Sequence, residues 1–363
     1  MGVAKPPVIV VEDDPFTRLI PIVLDPASSE ERRAAFADFM APDEPDFDGW
    51  VSRVRARASG LYPAEVRMVA SQDEMRASLA DCQALVVESL QFAREDLAVA
   101  RELKIVQKFG TGLRNIDTAA CAENGIKVLT LRRRANMSCA EHAFALILAL
   151  ARRLESSSGL VTLERIKAAG PGLRPFDRRH TPGGNYPRIG GTRALNGATI
   201  GIIGLGEIGR EIALRAAAFD MRVLYYQRTR APAAEERELQ AHYVPLDTLL
   251  AEADWIVPQL PTSPATRNLL GPEQLARVKP GACLINVANA PIIDRDDLLD
   301  ALRSGRLGGA ALDVWYEEPM AEDDPLLGLV NVIITPHMAG SPRFNGLNDF
   351  AELITSLARE LKT

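Results

Sequence analysis

Gly204, Gly206 and Gly209 stand where a short apolar strand beginning at Thr199 meets a helical pattern carrying Ile208, Ile212, Ala213 and Ala216. The chemistry that this spacing serves is the binding of a dinucleotide pyrophosphate. The first glycine permits a tight turn, the second lets the backbone approach the phosphates, and the third allows close packing of helix on strand. The helix N-terminus then attracts the negative charge. Taken alone, the pattern also describes a tight turn in an unrelated βα unit. A second strand candidate, Arg222 to Tyr226, completes strand, turn, helix and strand, the context in which the fingerprint carries meaning.

The end of that second strand bears on which dinucleotide is bound. It reads YYQRTR, with Gln227 where an acid that accepts hydrogen bonds from the adenosine ribose would stand, followed by Arg228, Thr229 and Arg230. A missing carboxylate removes repulsion toward a 2′-phosphate, and neighbouring guanidiniums could clamp one. The competing reading is solvated arginines after a strand. NADP is the favoured cofactor and NAD the alternative. A further apolar run ends in INVANAPIID (Ile285 to Asp294), where Asn286 and Asn289 precede an Ala-Pro break and offer uncharged amides at a strand end.

The elements that must position these residues alternate along the chain. Strand candidates at Asp254 to Leu260, Ala282 to Val287, Ala310 to Val314 and Val332 to Thr335 are separated by helical stretches around Leu246 to Ala251, Pro272 to Val278 and Asp296 to Ser304. Such alternation predicts a parallel sheet with right-handed crossovers. Earlier strand candidates, Val8 to Val11, Val66 to Val69, Ala84 to Glu88, Lys104 to Phe109 and Lys127 to Thr130, lack a glycine fingerprint and predict a second α/β domain. The tail after His337 is too short for a domain and is expected to pack back on the first one. The boundaries are therefore 1–135 with 338–363 for one domain and 136–337 for the dinucleotide-binding domain. The segment 168–195, rich in Gly, Pro and Arg, reads as a loop.

Bulk properties limit the function classes. The 363 residues are 47% apolar and 25% charged, with a formal charge of −6, which argues against a dedicated nucleic-acid surface. The four cysteines are scattered, so neither a disulfide framework nor a metal site is expected, and a reducing cytoplasm is the default. The opening MGVAKPPVIVVEDDPF does not read as a signal peptide, and no apolar run is long enough for a membrane span.

Six motifs in order make the chain resemble the D-2-hydroxyacid dehydrogenase family. They are FGTGLRNID (Phe109 to Asp117), NMSCAEHAFALILALAR (Asn136 to Arg152), the glycine fingerprint, ADWIVPQLPTSPATRNLL, ALDVWYEEP and TPHMAG. The resemblance implies two Rossmann-like or flavodoxin-like α/β domains with doubly wound parallel sheets, the cofactor domain being inserted in the substrate domain and the active site lying in the cleft. It implies hydride transfer between a nicotinamide and a 2-hydroxy or 2-keto acid, and a homodimer built on the crossover helices around Asn136 to Arg165. His337 matches the acid–base histidine of the family, and Glu318 the carboxylate that tunes it. The bland alternatives are a structural histidine and a solvated acidic turn.

The family's third catalytic residue is an arginine in N-x-A-R-G, and Asn289 occupies its place. An asparagine can donate hydrogen bonds but lacks the charged planar fork that binds a carboxylate bidentately. Three readings stay open. The anchor has moved to Arg114 or the Arg132–Arg134 run, the substrate presents a neutral oxygen, or the chain binds cofactor without dehydrogenase activity. By motif, cofactor contacts fall on Gly204, Gly206, Glu207, Ile208, Gly209, Gln227, Arg228, Thr229, Pro261, Thr266, Val287, Ala288, Asp313 and Gly340. Substrate contacts fall on Gly110, Thr111, Gly112 and Arg114, with ordinary turn geometry as the competing reading for the glycines.

Overall fold

A computed structural model describes residues 5–170, 179–180 and 182–362. The chain divides into two compact units, Met1–Ser138 with Gly340–Thr363, and Cys139–Ala339. The first is built on five parallel strands, β1 (Val8–Glu12), β2 (Glu65–Val69), β3 (Ala84–Val87), β4 (Ile105–Lys108) and β5 (Lys127–Leu129). Their order, β2-β1-β3-β4-β5, is the flavodoxin-like one. Because side chains alternate across a strand, Ile9, Val11, Ala84 and Val86 enter the core on one face, and Val10, Leu85 and Val87 enter the core on the other. Both faces are covered, which is why these strands read as unbroken apolar runs rather than as alternating ones. The tail forms the helix Phe344–Leu361, whose Leu347, Phe350, Leu353 and Leu357 complete the first of these cores.

The second unit carries seven parallel strands, β6 (Thr199–Ile203), β7 (Arg222–Tyr226), β8 (Ala241–Tyr243), β9 (Trp255–Pro258), β10 (Ala282–Asn286), β11 (Leu307–Leu312) and β12 (Val332–Ile334). They lie in the order β12-β11-β10-β9-β6-β7-β8. The strand order reverses between β6 and β9, which run parallel, and in such sheets ligands bind outside the carboxyl ends of the strands at that switch point. Val223 and Tyr225 pack on one face and Leu224 on the other, again with a core on each side. The helix Arg134–Arg152 carries the chain from the first unit into the second. The proline at 258 is the last residue of β9, where a missing N–H ends the ladder.

Strand β8 was not foreseen; its Ala-His-Tyr is too short and too polar to stand out, and it forms because β7 offers an open edge. In the segment 168–195, residues 171–178 and 181 lie outside the described residues, and 182–195 contain no helix or strand. Among the described residues no helix is long and apolar enough to cross a membrane.

Candidate active site

The turn after β6 is shaped by two glycines that have no room for a side chain and one that has room to spare. Gly204 has φ +104, and a Cβ there would lie 2.4 Å from the Gln259 carbonyl oxygen at the end of β9. A Cβ on Gly209 would lie 2.2 Å from the carbonyl oxygen of Gly204, so the helix Glu207–Ala218 rests directly on the turn. Gly206, the N-cap of that helix, has ordinary φ −77 and open space where a Cβ would stand. That open space, in front of a helix N-terminus at the switch point, fits a pyrophosphate.

This contrast separates two roles by experiment. Gly209→Ala should cost about 1–3 kcal/mol of stability through overpacking. Gly206→Ala should cost under about 1 kcal/mol yet weaken cofactor binding by more than about tenfold, since its methyl takes the ligand's room. Urea denaturation and cofactor fluorescence titration of both variants check this, and equal stability losses would refute it.

At the end of β7 the structure sorts the three candidates. Gln227 accepts from the Leu205 N–H at 3.2 Å and donates to the Thr229 carbonyl at 2.8 Å, so its amide ties the glycine turn to the strand end. Arg230 is removed from the candidates for a phosphate clamp. Its guanidinium forms two 2.8 Å bonds to Glu236, and this pairing, with the Tyr225 hydroxyl second, holds the Glu236 carboxyl down to about 2. Arg228 and Thr229 are exposed.

Beyond β9, Thr266 donates to the Pro261 carbonyl at 2.6 Å and accepts from the Ser263 N–H at 2.9 Å, closing the Pro261 to Thr266 turn on itself. Beyond β10, a residue passed over in the motif assignment organises the strand end. The Asn286 side chain, 1% exposed, accepts from the N–H groups of Ala288 and Asn289 at 3.1 and 3.2 Å and donates to the Asn289 carbonyl at 2.8 Å. Val287 is buried and Ala288 half-buried. The Asn289 amide nitrogen donates to the Leu260 carbonyl at 2.7 Å, linking the ends of β9 and β10.

Beyond β12, His337 takes a left-handed φ of +52. Its Nδ1 lies 2.9 Å from both carboxylate oxygens of Glu318, and Glu318 also accepts from the Trp315 N–H. With Nδ1 as the donor to the carboxylate, Nε2 is left for chemistry. The loop that carries His337 is anchored by Asp313, one residue past β11 and wholly buried. Asp313 accepts from the Thr335 hydroxyl at 2.5 Å, the Met338 N–H at 2.9 Å and the Ala339 N–H at 2.7 Å. Thr335 gives its only proton to Asp313, so at 3.1 Å it accepts from His142 Nε2, which fixes that histidine's tautomer. Burial pushes the Asp313 carboxyl up, but His142, Thr335 and the two N–H groups outweigh it and hold it below its ordinary value.

In the first unit, Gly110 has φ +147 and its carbonyl accepts from the Leu131 N–H at 2.8 Å. Thr111 and Gly112 are half-buried and Arg114 is exposed. Of the arginine run offered as a moved anchor, Arg134 is committed to structure, with bonds to Asp349 at 2.8 Å and Glu352 at 2.7 Å. Arg133 stacks on the Phe109 ring at 4.8 Å. Gly340 opens the part of the chain that returns to this unit.

Residues 144–339 match the family model described as D-isomer specific 2-hydroxyacid dehydrogenase, NAD binding domain. The chain belongs to this family. It is an NAD(P)-dependent 2-hydroxyacid oxidoreductase. A glyoxylate reductase of Thermococcus gammatolerans is 37% identical over 255 residues, 70% of this chain and 72% of that one. A D-3-phosphoglycerate dehydrogenase of Archaeoglobus fulgidus is 35% identical over 312 residues, 84% of this chain and 55% of that longer protein. The holo form of D-mandelate dehydrogenase from Rhodotorula graminis shares the fold, with a TM-score of 0.56 at 24% identity over 97% of this chain and 93% of that one. Within this D-2-hydroxyacid dehydrogenase framework, the residues that motif reading missed are Asn286, His142 and Thr335. All three act through hydrogen bonds to residues distant in sequence or to backbone, which no local spacing reveals.

Proposed function

We propose that this dehydrogenase reduces 2-keto compounds with NADPH as the preferred cofactor, His337 acting as the acid–base group and Glu318 as its orienting partner. The observation that carries the reading is the pair of 2.9 Å contacts from His337 Nδ1 to Glu318 at the same strand-end edge as the glycine turn. The bound nicotinamide supplies or accepts the hydride. In the reducing direction His337 Nε2–H gives its proton to the substrate's 2-oxygen, and in the oxidising direction Nε2 takes it back. Glu318 keeps Nδ1 protonated throughout and stabilises the imidazolium form. Gly110, Thr111 and Gly112 offer backbone N–H groups, and Arg114 a guanidinium, that we assign to substrate oxygens. Glu207, Ile208, Pro261, Thr266, Val287, Ala288 and Gly340 remain our assignments to the cofactor's surroundings. The test is a screen of 2-keto acids and 2-oxoamides for NADPH and NADH oxidation with His337→Ala as the control, and no turnover of either class above that control would refute it.

The preference for NADPH is supported by Gln227, whose amide carries no negative charge, and by Arg228, which is exposed and has no hydrogen bond or ion pair among the described residues, while Arg230 is held by Glu236. Arg228→Ala should raise the Kd for NADPH about tenfold, the scale of one charge-assisted hydrogen bond, and leave that for NADH unchanged. Equal wild-type affinities for the two cofactors would sink the preference. We also propose a homodimer. Leu154, Val161 and Leu163, which follow the helix Arg134–Arg152, are 51%, 69% and 64% exposed and offer apolar side chains to a second copy. Light scattering on the purified protein reads the mass directly. Four free cysteines, three of them buried, accord with a reducing cytoplasm.

A further inference from the structure

Asn289 is clamped more tightly than a residue that merely fills a vacated position. Its N–H and carbonyl are both taken by the Asn286 side chain, and its Nδ2 donates to the Leu260 carbonyl at 2.7 Å. A carbonyl oxygen can face only the nitrogen of an amide, so the orientation of the Asn289 side chain is set by its surroundings. Among the described residues one N–H and the Oδ1 acceptor find no partner and remain, side by side, on a half-buried side chain. They form a donor–acceptor edge held in one orientation.

The neighbouring strand ends reinforce this chemistry. The residues that follow β10, β11 and β12 by one to three places are Asn289, Asp313 and His337, and the last is paired with Glu318. Of these four side chains two are carboxylates and none is a permanent cation. A ligand carboxylate would bring two acceptors, one of which must meet the Oδ1 lone pairs, beside fixed negative charge. A primary carboxamide brings one donor and one acceptor and satisfies both atoms of the edge. We propose that Asn289 makes the site selective for a neutral carboxamide in place of a carboxylate next to the reacting carbon, so that the substrate class is 2-oxoamides and the corresponding 2-hydroxyamides. The proposal rests on the reading of His337 and the nicotinamide site given above and narrows its substrate. Reduction remains balanced, since hydride adds to C2, the proton from His337 goes to the 2-oxygen, and the amide is unchanged.

The test compares two acid and amide pairs, pyruvate with pyruvamide and phenylpyruvate with phenylpyruvamide. Their binding to the holoenzyme carrying oxidised cofactor is measured by calorimetry, where no turnover occurs, alongside kcat/KM with reduced cofactor. At least one amide should bind roughly tenfold more tightly than its acid, the scale of one hydrogen bond made against one left unmade. Asn289→Arg should reverse the order. Because the wild-type comparison needs no variant, misfolding of Asn289→Arg would not rescue a failed result. Equal or tighter binding of both acids, or of neither member of either pair, overturns the proposal. Cofactor titration in the same samples separates the two levels: if cofactor binds and the acids turn over, only the carboxamide proposal fails, whereas absent cofactor binding removes the underlying reading as well.

Discussion

Replacing His337 with alanine should lower kcat by about 10²–10⁴-fold, the range supplied by a positioned general acid–base, while the cofactor Kd stays within about twofold of wild type. The expectation follows from where the side chain is held. Its backbone sits at φ +52, a conformation that costs a bulky residue free energy and that the loop tolerates because Asp313 fixes the residues on either side. Glu318 takes Nδ1, so only Nε2 is free to exchange a proton with substrate. His337→Asn is the sharper variant, because asparagine accepts left-handed backbone readily and leaves the loop in place while removing the exchangeable proton. Both variants should lose activity equally. If His337→Asn retained most of the rate, the histidine would be a loop residue and the acid–base assignment would fall. Glu318→Gln should cost less, about 10–100-fold, because an amide still orients the ring but no longer stabilises its charged form.

Much of this architecture was legible because it rests on short-range rules. The glycine turn and the alternation of strand and helix each follow from local pattern. The strand ends were read one or two residues long: Ala84 to Glu88 stops at Val87, and Val332 to Thr335 stops at Ile334. In both cases the residue beyond the strand is polar, and the Thr335 hydroxyl bonds Asp313 while its N–H still reaches the Leu312 carbonyl of β11. What stayed hidden depends on partners distant in sequence. Arg228 and Arg230 look alike in YYQRTR, and only the position of Glu236 on the following helix, Ala233–Glu238, takes one of them out of play. The same is true of Arg134, whose partners Asp349 and Glu352 lie more than 200 residues away. Asn289 was visible as a departure, but its orientation is set by the carbonyl of Leu260, 29 residues earlier.

Asp313 shows how a residue assigned to the cofactor by motif can have a larger effect through the fold. Its carboxylate is wholly buried and gathers one hydroxyl and two backbone N–H groups from the segment that carries His337, with His142 Nε2 3.4 Å away. Asp313→Asn replaces one of two acceptor oxygens with a donor that faces three other donors, so at least one buried N–H or O–H loses its partner. The expected cost is about 3 kcal/mol, the scale for breaking a buried charged network. Activity should fall about 10²-fold, because a small displacement of the acid–base group is amplified in the rate. The sign of the pH dependence follows from the direction of the shift. The folded protein holds this carboxyl below its ordinary value, so its contribution is fully present above the unfolded group's pKa and is lost as pH falls through the folded one. The stability gap between wild type and Asp313→Asn should therefore be constant at neutral pH and narrow below about pH 4. Denaturant midpoints at several pH values, together with kcat and the cofactor Kd, distinguish the two roles. A loop anchor lowers stability and kcat together, whereas a group acting only on the nicotinamide raises the cofactor Kd and leaves the denaturation midpoint where it was.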